Sequence, residues 1–335
     1  MNVTTTDYHT AGEPFRIVTG GLPPVPGDSV AERRSIVIGA GGRATAPRRS
    51  ALDDVRRLLT REPRGHAGMY GGFLVPADDS EAHFGVLFWH KDGYSTACGH
   101  GTMALGAWAV DSGLVAAPED GTALVRIDVP SGRVSATVHR SGGRTTAVTF
   151  RNVPTRVLAR KVELTVAGRT VAVDLAHSGA VYASLPAAAL GLSVVPDRLP
   201  ELTAAGREIR AALEGHRALA GDRDGVYGVI LYDELPDTPT GPHQRNVTVF
   251  ADGQIDRSPC GSGTSARLAL LADEGALGAG RTLRHDSVIG TVFTGRVRER
   301  QGDGVVTEVT GTAHRTGEHR FVLDPEDTLG AGFLL

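Results

Sequence analysis

The chain has 335 residues, 41% hydrophobic and 22% charged, with a formal net charge of −3. Such a length buries one large core or two ordinary ones without a disulfide or a metal to hold it together. Basic clusters with interleaved aromatics and long apolar runs are both lacking, which argues against nucleic-acid partners and membrane-spanning helices.

In chain order, Asp7 to Pro14 leads into a short strand at Phe15–Val18, and a Pro/Gly-rich loop follows at Gly21–Gly27. Ser50 to Asp53 reads as a capping box opening an amphipathic helix over Asp54–Leu59, and Arg61–Tyr70 reads as loop. Phe73–Pro76 and His83–Trp89 are expected strands, the second apolar enough to be buried on both faces. A helix is expected after Cys98, then strands at Ala123–Val129, Arg133–Val138 and Thr146–Phe150. Further on, a helix is predicted over Glu201–His216 and strands over Gly228–Tyr232 and Asn246–Phe250. A second cysteine helix comes next, then a β-rich tail at Val288–Val297, Val305–Val309 and Arg320–Leu323.

The two cysteines, Cys98 and Cys260, share their surroundings: both read C-G-x-G-T-x-A, and an apolar helix-like run follows each. The segment Asp174-Leu175-Ala176-His177-Ser178-Gly179 also echoes Asp7-Tyr8-His9-Thr10-Ala11-Gly12, His177 matching His9 with nearly the same offset as the cysteines. The chain is therefore expected to hold two related halves, residues 1–152 with about 316–335, and residues 153–315. The opening residues do not read as an export signal, so both cysteines are expected to be free thiols in a reducing cytoplasm.

A cysteine at a helix start meets unpaired backbone N–H groups and a partial positive charge, which is expected to lower its pKa. The glycines after each sulfur let backbone amides of Gly99, His100, Gly261 and Ser262 approach an anion such as a carboxylate. If the halves face each other, two sulfurs flank one cleft. One thiolate then removes a proton α to the carboxylate and the other thiol supplies one to the far face.

The segments Cys98-Gly99-His100, Asp256-Arg257-Ser258-Pro259-Cys260-Gly261-Ser262-Gly263-Thr264 and His9 to Pro14 resemble the proline racemase family over nearly the whole chain. The resemblance implies an α/β fold of the diaminopimelate-epimerase type. That fold has two pseudo-symmetric halves, each a β-rich barrel-like sheet around a central helix, with the active site in the cleft between them. It implies no pyridoxal phosphate, no metal and a homodimer. By motif position, Cys98 and Cys260 are the acid–base pair; Gly99, His100, Gly261 and Ser262 hold the carboxylate; Asp256 and His100 contact the ring nitrogen or steady the thiols.

Other segments, Arg61 to His66, Gly93 to Thr96 and Arg245 to Gly253, are similar to the trans-3-hydroxy-L-proline dehydratase branch, whose members usually carry threonine in place of Cys260. The thiol pair suits inversion of proline or 4-hydroxyproline, whereas a Cys/Thr pair suits one-base elimination of water. The pair carries more weight, because it determines which proton transfers are possible. Ala97, where many relatives have methionine, is a smaller departure.

Other readings compete. Gly261 to Ala266 fits the loose dinucleotide pattern G-x-G-x-x-A, but a Pro-containing loop precedes it. A Cys/His hydrolase leaves the second cysteine motif unexplained, and the scattered histidines lack metal-ligand spacing. A non-catalytic binder of proline-like amino acids keeps the amide nest but gives two activated thiols no purpose. His9, His177, Trp89 and Trp108 are expected in packing roles, His66 and His243 in loops, and Asp286 with the run Arg296–Arg300 on a solvated face.

Overall fold

A computed structural model of the chain describes residues 2–39, 50–220, 224–278 and 280–334. It forms two compact units, Met1–Val148 with Thr312–Leu335, and Thr149–Gly311.

The first unit contains β1 (Asn2–Thr10), β2 (Glu13–Gly20), α1 (Val30–Ile38), α2 (Ala51–Thr60), β3 (Tyr70–Val75), β4 (Phe84–His90), β5 (Gly93–Tyr94), α3 (Gly99–Asp111), β6 (Gly121–Val129) and β7 (Gly132–Ser141). Strand β8 (Arg144–Arg151) leads out of it. The second unit holds β9 (Arg156–Val166), β10 (Arg169–His177), β11 (Val181–Pro186), α4 (Leu199–Ala212), β12 (Val226–Thr238), β13 (Gly241–Phe250), β14 (Gln254–Asp256), α5 (Gly261–Asp273), β15 (Leu283–Ser287), β16 (Val292–Gln301) and β17 (Gly304–Gly311). Strand β18 (Ala313–Val322) returns to the first unit, antiparallel to β1.

The same wiring occurs twice. In the first unit the antiparallel pairs β1/β2, β3/β4 and β6/β7 are joined by parallel contacts of β2 with β3 and of β4 with β6. In the second, β10/β11, β12/β13 and β15/β16 are joined by parallel contacts of β11 with β12 and of β13 with β15. Helix α3 touches β1, β2, β6, β7 and β18, strands from both ends of its sheet, so the sheet curves around it. Helix α5 stands likewise against β9, β10, β11, β16 and β17. Both helices are built of small and aliphatic residues and are buried nearly all round, which explains the absence of a polar stripe in either sequence. The fold is thus mixed α/β, with pseudo-symmetric, sheet-rich halves around central helices.

Local chemistry sets the boundaries. Ser50 caps α2 by accepting from Asp53 N–H at 3.1 Å, so that helix starts at Ala51, ahead of the expected Asp54. Strand β4 is buried at every position, as its uninterrupted apolar run requires. Strands β1, β9, β10 and β11 and helix α1 are not anticipated from the sequence. Their alternation is diluted by polar residues on exposed faces, as in the mixed burial pattern of Arg156–Val166. The strand expected at Val288–Val297 begins only at Val292: Ser287 to Thr291 closes a turn, with Ser287 N–H donating to Thr291 C=O at 2.7 Å. Trp89 is fully buried, whereas Trp108 on α3 is only half-buried and meets Phe84 edge-on. Among the described residues, no helix is long and apolar enough to cross a membrane.

Candidate active site

Each cysteine occupies the N-cap position of its central helix. At the first, the Cys98 backbone is extended and Sγ accepts from Gly101 N–H at 3.3 Å. The sulfur lies 3.5 Å from His100 Nδ1 and 3.6 Å from Nε2, and is buried. The His100 ring is itself held edge-on by Phe15 and Tyr70, with centroids 5.8 and 5.0 Å away. The second glycine of the motif is what lets the turn close. A Cβ at Gly101 would stand 2.4 Å from Phe15 Cε2 and 2.8 Å from the Cys98 sulfur, and one at Gly263 would stand 3.0 Å from the Cys260 sulfur.

At the second helix, Cys260 has φ +63, left-handed backbone that a cysteine rarely adopts. The surrounding polar groups fix it there. Cys260 N–H donates to Ser258 Oγ at 3.1 Å, and Ser258 donates through its own N–H and hydroxyl to Asp256 Oδ1 at 2.8 and 2.7 Å. The preceding carbonyl, of Pro259, accepts from Asn246 Nδ2 at 3.1 Å and Thr264 Oγ1 at 3.2 Å. Thr264 in turn meets His285 Nδ1 at 2.8 Å. Burial, with the Arg267 cation nearby, lowers the His285 pKa to about 3, so this imidazole stays neutral.

The expectation of a depressed pKa fails at Cys260. Its thiol is pushed well up, first by burial and then by the negative charge of Asp256. The Gly263 N–H and the Thr248 hydroxyl pull the other way and are outweighed. Burial also raises Asp256 above the usual carboxylate range, against its bonds from Ser258. Burial and the neighbouring carboxylate thus favour the neutral thiol at Cys260.

The remaining predicted residues divide by unit. Gly99 and His100 form the first turn of α3 beside Cys98, and Gly261 and Ser262 the first turn of α5 beside Cys260. The Ser262 hydroxyl is buried and, among the described residues, finds no hydrogen-bond partner. Two residues that the sequence reading passed over hold these turns in place. Thr10 Oγ1 donates to the His100 carbonyl at 2.9 Å, and Ser178 Oγ donates to the Ser262 carbonyl at 2.9 Å. They directly follow His9 and His177, the matching positions of the repeated segment, so that recurrence was the signal for them. His9 serves that turn too, Nδ1 accepting from Gly12 N–H at 3.2 Å.

Two sequence expectations are corrected. Asp286 is buried, not solvated: it accepts from His243 Nε2 and Arg284 Nε, each at 2.9 Å. His243 therefore sits on strand β13 in an ion-pair cluster, not in a loop. Sequence spacing gave no sign of this, because the parallel pairing of β13 with β15 brings the two together. Among the described residues, no group of three or more His, Cys, Asp or Glu is placed to hold a metal ion.

A duplicated α/β fold with a buried thiol at the head of each central helix defines a class of protein, and the comparisons place the chain within it. Residues 5–334 match the family described as proline racemase. The chain is 40% identical to trans-3-hydroxy-L-proline dehydratase of Bacillus thuringiensis subsp. konkukian, over 99% of this chain and 98% of that one. It is 42% identical to the human protein of the same name, over 98% and 93%. A solved hydroxyproline epimerase from Agrobacterium vitis, with bound trans-4-hydroxy-L-proline, superimposes with a TM-score of 0.89 at 28% identity, covering 100% of this chain and 96% of that one. The chain belongs to the proline racemase family.

Proposed function

We propose that this protein inverts the α-carbon of proline or 4-hydroxyproline without a cofactor, using Cys98 and Cys260 as its acid–base pair. The observation that supports this reading is a buried thiol at the head of each central helix, Cys98 on α3 and Cys260 on α5. Cys98 receives a backbone N–H and lies beside an imidazole, surroundings that favour a thiolate. In the forward direction the Cα proton passes to the Cys98 thiolate and its bonding electrons flow into the carboxylate. The Cys260 thiol then delivers its proton to Cα, which leaves Cys98 as thiol and Cys260 as thiolate. The amides of Gly99, His100, Gly261 and Ser262, with the Ser262 hydroxyl, stabilise the charge gathered on the carboxylate. Asp256 and His100 serve the ring nitrogen or the thiols themselves.

A second reading is elimination of water from trans-3-hydroxy-L-proline, favoured by relatives of that name near 40% identity along the whole chain. There Cys98 removes the Cα proton and the Cys260 thiol protonates the departing C3 hydroxyl. Proton NMR in D₂O with L-proline, trans-4-hydroxy-L-proline and trans-3-hydroxy-L-proline in parallel separates the two. Deuterium at Cα of an inverted isomer supports the first reading; loss of the C3 hydroxyl from the third compound alone replaces it with the second. Binding without exchange in any of the three would leave a binding protein and end both.

A further inference from the structure

The two cysteine turns differ at the residue two places after the sulfur, which is His100 in the first unit and Ser262 in the second. His100 brings an imidazole to 3.5 Å from the Cys98 sulfur. Ser262 does nothing comparable for Cys260, since its hydroxyl has no hydrogen-bond partner among the described residues. Yet a thiol that gives up and regains a proton needs a neighbour that accepts from S–H and donates to the thiolate. A hydroxyl does both.

Strand β11 supplies one. The Cys260 thiol donates to the Tyr182 hydroxyl at 4.0 Å, a long bond of the kind sulfur makes. Tyr182 is buried and packs in one apolar cluster with Cys260, Ile230, Ala266 and Leu270. Its neighbours aim the ring. Tyr182 stands opposite Gly228 across the parallel β11–β12 pair, where a Cβ would come within 3.1 Å of its Cε1, and it meets Tyr227 edge-on at 5.8 Å. The first unit has a matching ring without the hydroxyl: Phe15 follows Gly12 by three residues, as Tyr182 follows Gly179. Phe15 also lies over a glycine, a Cβ at Gly72 standing 3.1 Å from its Cζ, and it meets His100 edge-on at 5.8 Å. One unit thus sets a phenyl ring and an imidazole where the other sets a single phenol.

We propose that Tyr182 is the positioning residue of Cys260, its oxygen accepting from the thiol and its O–H turning to the sulfur once the proton has passed to Cα. No proton leaves the tyrosine. One hydrogen bond reverses direction, and the buried thiolate gains a charge-assisted donor. The inference rests on the proton transfer assigned to Cys260 under the proposed function, and every residue it uses around that sulfur lies in the second unit.

The test exploits the two cysteines of the sequence: after Cys98→Ser, alkylation by iodoacetamide over a range of pH reports Cys260 alone. In that background Y182F keeps the ring against Gly228 and Tyr227 and removes the hydroxyl. A hydrogen bond to a thiolate is stronger than one to a thiol, so Y182F is expected to slow alkylation about fivefold and to move its pH profile upward by about 0.7 unit. Loosened packing acts the other way, exposing the sulfur and speeding the reaction. With both cysteines present, Y182F is expected to lower kcat about fivefold at near-constant KM. A parental rate and profile for Y182F overturn the proposal. So does faster alkylation, which would assign Tyr182 to packing alone. If Y182F slows alkylation while the parent turns over none of the three amino acids, the hydrogen bond to the thiolate stands and the proposed function falls.

Discussion

The heads of the two central helices carry the same sequence pattern and solve the same backbone problem, yet they surround their sulfurs with different groups. At Cys98 the backbone is extended, the sulfur takes a helix N–H, and an imidazole lies beside it. At Cys260 the backbone is left-handed, and a buried carboxylate stands where Tyr94 holds the corresponding place, four residues before Cys98. What is common, the C-G-x-G-T turn and the hydroxyls of Thr10 and Ser178 beneath it, builds the same tight helix start twice. What differs is the company of each sulfur: an imidazole beside Cys98, a buried carboxylate near Cys260. A duplicated fold has thus kept its frame and diverged in the electrostatics of one pair of atoms.

The largest test of that comparison removes a sulfur. Cys98→Ser or Cys260→Ser is expected to lower Cα inversion about a thousandfold, since a hydroxyl is a poor base and a poor acid in this role; NMR of deuterium incorporation measures it, and near-full activity of either variant sinks the two-thiol reading. Next is the tightness of the two turns. Gly101→Ala, which meets Phe15 and a sulfur, is expected to cost about 3 kcal/mol of stability, and Gly263→Ala, whose new methyl is less crowded, nearer 1. Paired denaturant melts decide, and equal losses would show that the turns are equally crowded.

The buried neutral His285 exists only in the second unit's arrangement and gives a pH signature. Its folded pKa lies below the unfolded value of about 6.5, so the unfolded chain binds more protons between pH 6.5 and 3. Stability is therefore complete above pH 6.5 and falls as the pH drops, by about 2 kcal/mol at pH 5 from this residue. Denaturant melts of His285→Gln against the parent at the two pH values should show a shallower slope for the variant. The smallest effect tests the symmetry itself: Thr10→Val and Ser178→Ala each remove one hydroxyl bond and are each expected to cost about 1 kcal/mol, read as similar shifts in melting midpoint.

Much of this was legible in the sequence. The doubled cysteine motif revealed the internal repeat, the helix starts and the candidate thiols, because a turn this tight admits few residue types. Apolar runs such as Phe84 to Trp89 identified buried strands. The rest depends on partners far away in sequence. Strand β1 gives little sign of itself, since its pairing with β18 joins the two ends of the chain. Asp286 looked like surface charge until the β13–β15 pairing set it against His243. The raised Cys260 pKa was hidden for the same reason: a helix start argues for a low value, and only folding reveals how much water is excluded around Asp256 and the sulfur.

The return of β18 also bears on how the chain comes into being. The second unit is one continuous stretch, residues 149–311, and can close as soon as the ribosome has released it. The first unit waits for residues 313–322, paired with β1 from Asn2 opposite Val322 to Thr10 opposite Ala313. Until then β1 is a bare edge and Phe321 is missing from over the Arg16 guanidinium, where it will lie at 4.5 Å. The half that begins first is thus finished last, and the helix headed by Cys98, which packs on β18, matures only once β18 has been made.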